Sequence, residues 1–181
     1  MKILGISGWS GSGKTTLLAD VIPLLVARGL KVSTIKHAHH EFDVDKPGKD
    51  SYRHREAGAS EVLISSAKRY AIMHEHRGAP EPTLEELLTR LSPVDLVLVE
   101  GFKKSGHAKI EVWRAETGKP MLQPDDPAVI AVASNRPLPD VPVPVLDAGQ
   151  PQQVADFILA WLKQPQARPD VQNGARRGAA E

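Results

Sequence analysis

Apolar residues along this chain fall into two patterns, short unbroken runs and longer stretches with apolar positions three and four apart. Lys2–Ser7 (KILGIS) is a short apolar run, the length of a buried strand. From Lys14 to Arg28 the apolar positions are Leu17, Leu18, Val21, Ile22, Leu25 and Val26, which is helix spacing, and Gly29 supplies a stop. Pro23 lies inside that pattern and should kink the helix or cost it one hydrogen bond. Lys31–Lys36 is β-branched and predicts a second strand. Strand, helix and strand in succession make a βαβ unit, which requires a parallel sheet with a right-handed crossover.

The pattern then turns polar from His37 to Gly58, with Pro47-Gly48 as a turn and a short helix over Arg53–Ala59. Glu61–Ser65 and Arg69–His74 predict a hairpin around Ser66-Ala67-Lys68. Thr83 followed by Glu86 has capping-box spacing, for a helix running to Leu91. Asp95–Val99 is the most apolar strand and predicts a central position, buried on both faces. Lys109–Arg114 and Ala128–Ala133 are further strands. Arg136–Pro151 holds five prolines, which excludes a central strand. Val154–Leu162 is a final amphipathic helix. Residues 164–181 carry one large aliphatic side chain, Val171, too little to offset the entropy of ordering. The expected organisation is one α/β domain over 1–163 and a disordered tail over 164–181.

Composition narrows the chemistry. The chain has 23 Lys+Arg against 22 Asp+Glu, which argues against bulk-charge binding of nucleic acid. With no cysteine, disulfides, thiolate zinc sites and thiol nucleophiles are excluded. No apolar run is long enough to span a bilayer, and MKILGISGWSG has no signal-peptide pattern. The expectation is a soluble, cytoplasmic protein with no membrane partner.

Gly8-Trp9-Ser10-Gly11-Ser12-Gly13-Lys14-Thr15 fits G-x-x-x-x-G-K-[ST] between a predicted strand and a predicted helix. Glycines let successive backbone N–H groups turn inward as an anion nest, and the helix N-terminus adds partial positive charge. Lys14 can meet the β- and γ-phosphates, the Thr15 hydroxyl can meet Mg²⁺, and Thr16 can donate to a neighbouring phosphate. Glu100 ends the most apolar strand, at the sheet edge where ligands of open α/β sheets gather, and can hold Mg²⁺ through its water shell or orient the attacking water. Asp95, at the other end of that strand, reads as a turn residue. Lys14 and Glu100 are the candidate catalytic pair. In HAHHEFDVDKPGKD (His37–Asp50), three histidines raise a metal site, but His37, His39 and His40 on one short segment lack the usual spread of ligands. Asp43, Asp45 and Asp50 can reach Mg²⁺ or its waters, and Lys46, Lys49 and Arg53 an anionic substrate. Lys103 and Lys104, just after Glu100, can face a phosphorylated ligand.

GWSGSGKTTL at Gly8–Leu17, IKHAHHEFDVDKPGKDSYRHREAGA at Ile35–Ala59, DLVLVEGFK at Asp95–Lys103 and VIAVAS at Val129–Ser134 together resemble the MobB family of molybdopterin-guanine dinucleotide biosynthesis proteins. The resemblance covers residues 2–163. It implies a P-loop NTPase fold of the SIMIBI type, in which a mostly parallel sheet is flanked by helices and elaborated by antiparallel strands. It implies a homodimer that binds GTP with Mg²⁺, hydrolyses it at most weakly and assists a nucleotidyltransferase joining GMP to molybdopterin. Molybdopterin itself is a candidate ligand. Gly8, Gly11, Ser12, Gly13, Lys14, Thr15 and Thr16 take the phosphate-loop roles, and Thr15 and Glu100 the metal roles, beside Asp43, the metal candidate read from its own loop. His37, His39, His40, Asp45, Lys46 and Asp50 form the switch-like or substrate-facing loop. Asn135 stands where similar proteins often carry an acid able to accept both guanine N–H groups. An amide offers one acceptor and one donor group, which leaves guanine selectivity open, and the proline-rich loop after it can shape the base pocket. Two other functions fit parts of the sequence. The phosphate loop allows a small-molecule kinase, although no arginine-rich lid is apparent, and the histidines allow a metallochaperone GTPase, weakened by the missing cysteines. No arginine finger or water-positioning glutamine is apparent, so turnover by the chain alone should be slow.

Overall fold

The computed structural model describes residues 1–38 and 42–165. The strands are β1 (Lys2–Ser7), β2 (Val32–Lys36), β3 (Glu61–Ser65), β4 (Tyr70–His74), β5 (Leu96–Glu100), β6 (Lys109–Trp113), β7 (Val129–Ser134) and β8 (Val145–Asp147). The helices are α1 (Lys14–Ala27), α2 (Asp50–Glu56), α3 (Leu84–Leu88) and α4 (Pro151–Lys163). Six strands form a parallel sheet in the order β2-β5-β1-β6-β7-β8, and β3 pairs with β4 in a separate antiparallel hairpin.

β5 explains its own apolar run. Side chains alternate across a strand, so Leu96 and Leu98 pack on one face with α1 and α4, and Val97 and Val99 on the other with Leu84 of α3. All four are fully buried. Leu4, Leu25, Leu98 and Ile158 anchor the larger core, where a truncation to alanine costs about 2–5 kcal/mol. Lys2 Nζ reaches the carbonyls of Leu162 and Gln164, each at 2.6 Å, tying the start of β1 to the end of α4.

Three boundaries differ from the sequence expectation. α2 begins at Asp50, before the expected Arg53, and buries none of its residues, so no apolar spacing marks its start. Its acid in the first turn and Arg53, His54 and Arg55 in the last suit the helix dipole. The capping box forms as expected, with Glu86 N–H donating to Thr83 Oγ1 at 3.2 Å and Thr83 N–H to Glu86 Oε2 at 2.7 Å. α3 nevertheless stops at Leu88, where Thr89 Oγ1 donates back to the Glu86 carbonyl at 2.7 Å. The proline-rich segment contains β8, a three-residue edge strand whose entry uses the Pro144 carbonyl to accept from Val132 N–H. Pro23 sits within α1, which continues through it to Ala27. From residue 166 onward the expected tail lies outside the described residues.

Candidate functional site

The sheet order puts β1 between β5 and β6, so the loop leaving β1 meets the ends of both. In register, Ile6 and Lys36 both lie beside Glu100, and Ser7 beside Glu111. The loop from Gly8 to Gly13 turns through positive φ at Gly8 (+138°), Gly11 (+79°) and Gly13 (+95°). A side chain at Gly8 would collide with the Val112 carbonyl, and one at Gly13 would press on the Arg114 guanidinium at 3.0 Å. Gly13 caps α1 in the left-handed conformation without a side-chain cap, which leaves the N-terminal donors of the helix to a ligand.

Lys14 Nζ donates to the Trp9 carbonyl at 2.9 Å, folding back over its own loop. Burial lowers its pKa; the Glu100 carboxylate opposes that shift, while Lys103 and Lys36 add to it. Thr15 Oγ1 donates to Glu100 Oε1 at 3.1 Å, and Lys36 Nζ lies 3.9 Å from Glu100 Oε2. A hydroxyl and a carboxylate side by side are the hard oxygen donors that suit Mg²⁺. Among the described residues the Ser12 hydroxyl is buried without a hydrogen-bond partner.

The Asp43 carboxylate accepts from Arg55 Nη2 at 2.8 and 3.0 Å and from Asp45 N–H at 2.9 Å. The backbone donor, then Arg55, holds its pKa low, and Arg55 is held more firmly protonated by Glu75 and Asp43. Asp45 Oδ1 accepts from the Ser51 hydroxyl and Lys46 N–H, so it braces the loop, and Asp50 opens α2. His37 extends β2 by donating its N–H to the Glu100 carbonyl at 2.8 Å, and its ring meets Glu81 at 2.8 Å and Phe102 at 4.8 Å between ring centres. Gly101, at φ +102°, lets this backbone approach. His39 and His40 lie outside the described residues. Among the described residues no group of three or more His, Cys, Asp or Glu is gathered to hold a metal ion. Lys103 Nζ stacks over Trp9 at 4.5 Å.

On the far side of the phosphate loop, the β6–β7 connection forms a wall that the sequence reading missed. Glu111 is fully buried, and its carboxylate accepts from Leu122 N–H at 2.7 Å and Gln123 N–H at 2.8 Å. Burial raises its pKa, opposed by those two donors. Trp9 Nε1 donates to the Pro120 carbonyl at 2.7 Å, Trp113 Nε1 to the Lys119 carbonyl at 3.0 Å, and Arg136 stacks over Trp113. Asn135, just after β7, donates through Nδ2 to Glu116 Oε1 at 3.0 Å. Trp9, Gly11, Arg114, Glu116, Lys119 and Asn135 line a cleft of about 580 Å³. The one available signal was Glu111, a charge placed between Ile110 and Val112 in a strand.

A family profile described as "Molybdopterin guanine dinucleotide synthesis protein B" matches residues 3–135. The molybdopterin-guanine dinucleotide biosynthesis adapter protein of Escherichia coli K12 is 46% identical over 166 residues, spanning 90% of this chain and 94% of that protein. Its counterpart in Haemophilus influenzae is 48% identical over 165 residues, 90% of each. A crystal structure of molybdopterin-guanine biosynthesis protein B superposes with a TM-score of 0.67 at 30% identity, covering 90% of this chain and 99% of that one. Bacillus subtilis MobB shares the fold, with a TM-score of 0.70 at 24% identity over 91% of this chain and 100% of that one. With its phosphate loop, parallel sheet and added hairpin, this chain belongs to the MobB family.

Proposed function

We propose that this chain is a GTP-binding adapter in molybdopterin-guanine dinucleotide biosynthesis that supports the nucleotidyltransferase joining GMP to molybdopterin. The contact of Thr15 with Glu100, formed where β1 and β5 end side by side, carries this reading. It sets a hydroxyl and a carboxylate beside the N-terminal donors of α1, a pairing suited to a magnesium nucleotide. The nest and Lys14 hold the phosphates, and Lys14 exchanges the Trp9 carbonyl for phosphate oxygen. Thr15 and Glu100 hold Mg²⁺ and its water shell, and the ion supplies charge neutralisation at the phosphates. Asp43, bound to Arg55, is the further carboxylate proposed to face the ion's waters. Family membership favours the adapter over the small-molecule kinase, and the histidines of a metallochaperone have no thiolate to complement them.

The same reading includes a homodimer in the cytoplasm. On the β3–β4 hairpin, Leu63 faces Ile72 in register, and Tyr70 lies on the same face. Leu63 is 60%, Ile72 56% and Tyr70 66% exposed, an apolar strip that a second copy can cover. No helix among the described residues is long and apolar enough to cross a membrane.

The adapter role is tested by adding the purified chain to a GMP-transfer assay with the nucleotidyltransferase. Stimulation that Lys14→Ala abolishes is expected, and equal stimulation by that variant would refute the role. Sedimentation should show a dimer that Ile72→Glu converts to a monomer; a wild-type monomer would refute the dimer.

A further inference from the structure

Guanine presents two neighbouring donors, N1–H and the 2-amino group, and a single amide cannot accept both. Asn135 alone therefore leaves the choice of base open. The fold brings a carboxylate to it. β6 and β7 run side by side with Trp113 beside Ser134, so the residues that follow each strand emerge together at the edge holding the phosphate loop. Glu116 lies in the short 3-10 turn Ala115–Thr117 after β6, and its Oε1 accepts from Asn135 Nδ2 at 3.0 Å. Both residues line the 580 Å³ cleft that Trp9, Ser10 and Gly11 of the phosphate loop also line. A nucleotide held by its phosphates at Gly13–Thr16 can direct its base into this cleft.

Glu116 is kept ionised there. Its own backbone N–H, then Asn135, then Arg136 and Arg114 hold its carboxyl below the usual range. The rival carboxylate is Asp147, at the end of β8 in a second cleft of about 450 Å³ that also touches Asn135. Its oxygens are committed to a turn: Oδ1 accepts from Gly149 N–H at 2.8 Å and Oδ2 from Gln150 Nε2 at 3.1 Å. Glu116 is anchored to Asn135, whereas Asp147 is spent on its own loop.

We propose that Glu116, positioned by Asn135, is the residue that selects guanine, its carboxylate accepting the N1–H and the 2-amino group of the bound base. Adenine presents a lone pair at N1 and a C–H at C2 on the same edge, so it meets the carboxylate with repulsion and an unpaired acceptor. This inference rests on the nucleotide-binding reading above and names the base-reading group within it. It replaces the acid expected at position 135 with one from the neighbouring strand's connection.

The test is calorimetric titration of the full chain with GTP, ITP, XTP and ATP in the presence of Mg²⁺, for wild type, Glu116→Gln and Asp147→Asn. Wild type should prefer GTP, with ITP weaker for want of the 2-amino group. Glu116→Gln should weaken GTP roughly ten- to hundred-fold. It should also tighten XTP, because the glutamine amide accepts N1–H and donates to the C2 carbonyl of xanthine. ATP should bind somewhat more tightly, because the neutral amide removes the repulsion at adenine N1, and the melting temperature should stay unchanged, since Glu116 is exposed. An unchanged ratio of GTP to XTP affinity in Glu116→Gln would overturn the inference, as would Asp147→Asn making the switch. Equal binding of GTP and ATP by wild type would also overturn it, while Lys14-dependent binding of both would leave the nucleotide-binding reading standing. If wild type binds no nucleotide at all, that reading falls and this one falls with it.

Discussion

Replacing Glu111 with alanine should loosen the β6–β7 connection that walls the cleft beside the phosphate loop. The carboxylate is fully buried and holds the backbone N–H groups of Leu122 and Gln123 at 2.7 and 2.8 Å. A hydrogen bond to a charged group is worth about 1.5–3 kcal/mol, so the pair contributes about 3–6 kcal/mol. Burial of the charge works the other way, as the raised pKa of the carboxyl shows, and alanine removes that penalty. The net expected loss is about 2–4 kcal/mol, with two amide groups left unpaired. For a domain of this size, each 1 kcal/mol moves the midpoint by about 2–4 °C, so Tm should fall by roughly 4–16 °C. Circular dichroism melts measure it. Intrinsic fluorescence should shift as well, because Trp9 and Trp113 donate to the Pro120 and Lys119 carbonyls of the same connection. Glu111→Gln keeps one strong acceptor and should fall between wild type and alanine. A Tm within about 2 °C of wild type and an unmoved emission spectrum would refute the anchoring role.

Two further outcomes follow from the same geometry. Glu100→Gln should weaken Mg²⁺-dependent nucleotide binding roughly ten- to hundred-fold while leaving the metal-free component intact, measured by titration with and without Mg²⁺. Equal loss in both conditions would show that Glu100 only shapes the loop. Both ring nitrogens of His107 are buried beside Gly5 without partners among the described residues, and burial, then Lys109, lowers its pKa against the pull of Asp126 and Glu85. Its neutral form therefore belongs to the fold. Stability should be flat above about pH 6.5, the unfolded value, and fall as pH drops below it toward the folded value, with a slope of up to about 1.4 kcal/mol per unit. His107→Gln should flatten that slope in melts taken across the range, and an identical slope in the variant would sink the assignment.

How much of this was legible in the sequence depended on whether each signal was local. The phosphate loop was, because its glycines answer to backbone needs within eight residues, and Gly8, Gly11 and Gly13 all adopt the expected positive φ. β5 was, because alternation against two packed faces leaves four consecutive buried aliphatics. Glu100 was, since the end of a buried strand fixes which sheet edge it reaches. α2 was displaced because a helix that buries nothing leaves no apolar period to read. β8 was hidden by prolines, which a short edge strand tolerates and a central one does not. The partnership of Glu116 with Asn135 joins residues 19 apart through the pairing of β6 and β7, and that of Glu111 with Leu122 and Gln123 depends on how one connection folds back over a strand. Neither follows from spacing. The pairing of Asp43 with Arg55 of α2 likewise joins residues that no local spacing connects.

The measurement that bears most directly on the whole account is isothermal titration of the full chain with GTP in the presence of Mg²⁺, for wild type and Lys14→Ala. Lys14, which rests on the Trp9 carbonyl, is the residue proposed to meet the phosphates. The account predicts saturable binding by wild type that weakens sharply without Mg²⁺ and disappears in Lys14→Ala, with both proteins melting at similar temperatures. Binding that survives intact in Lys14→Ala would contradict it.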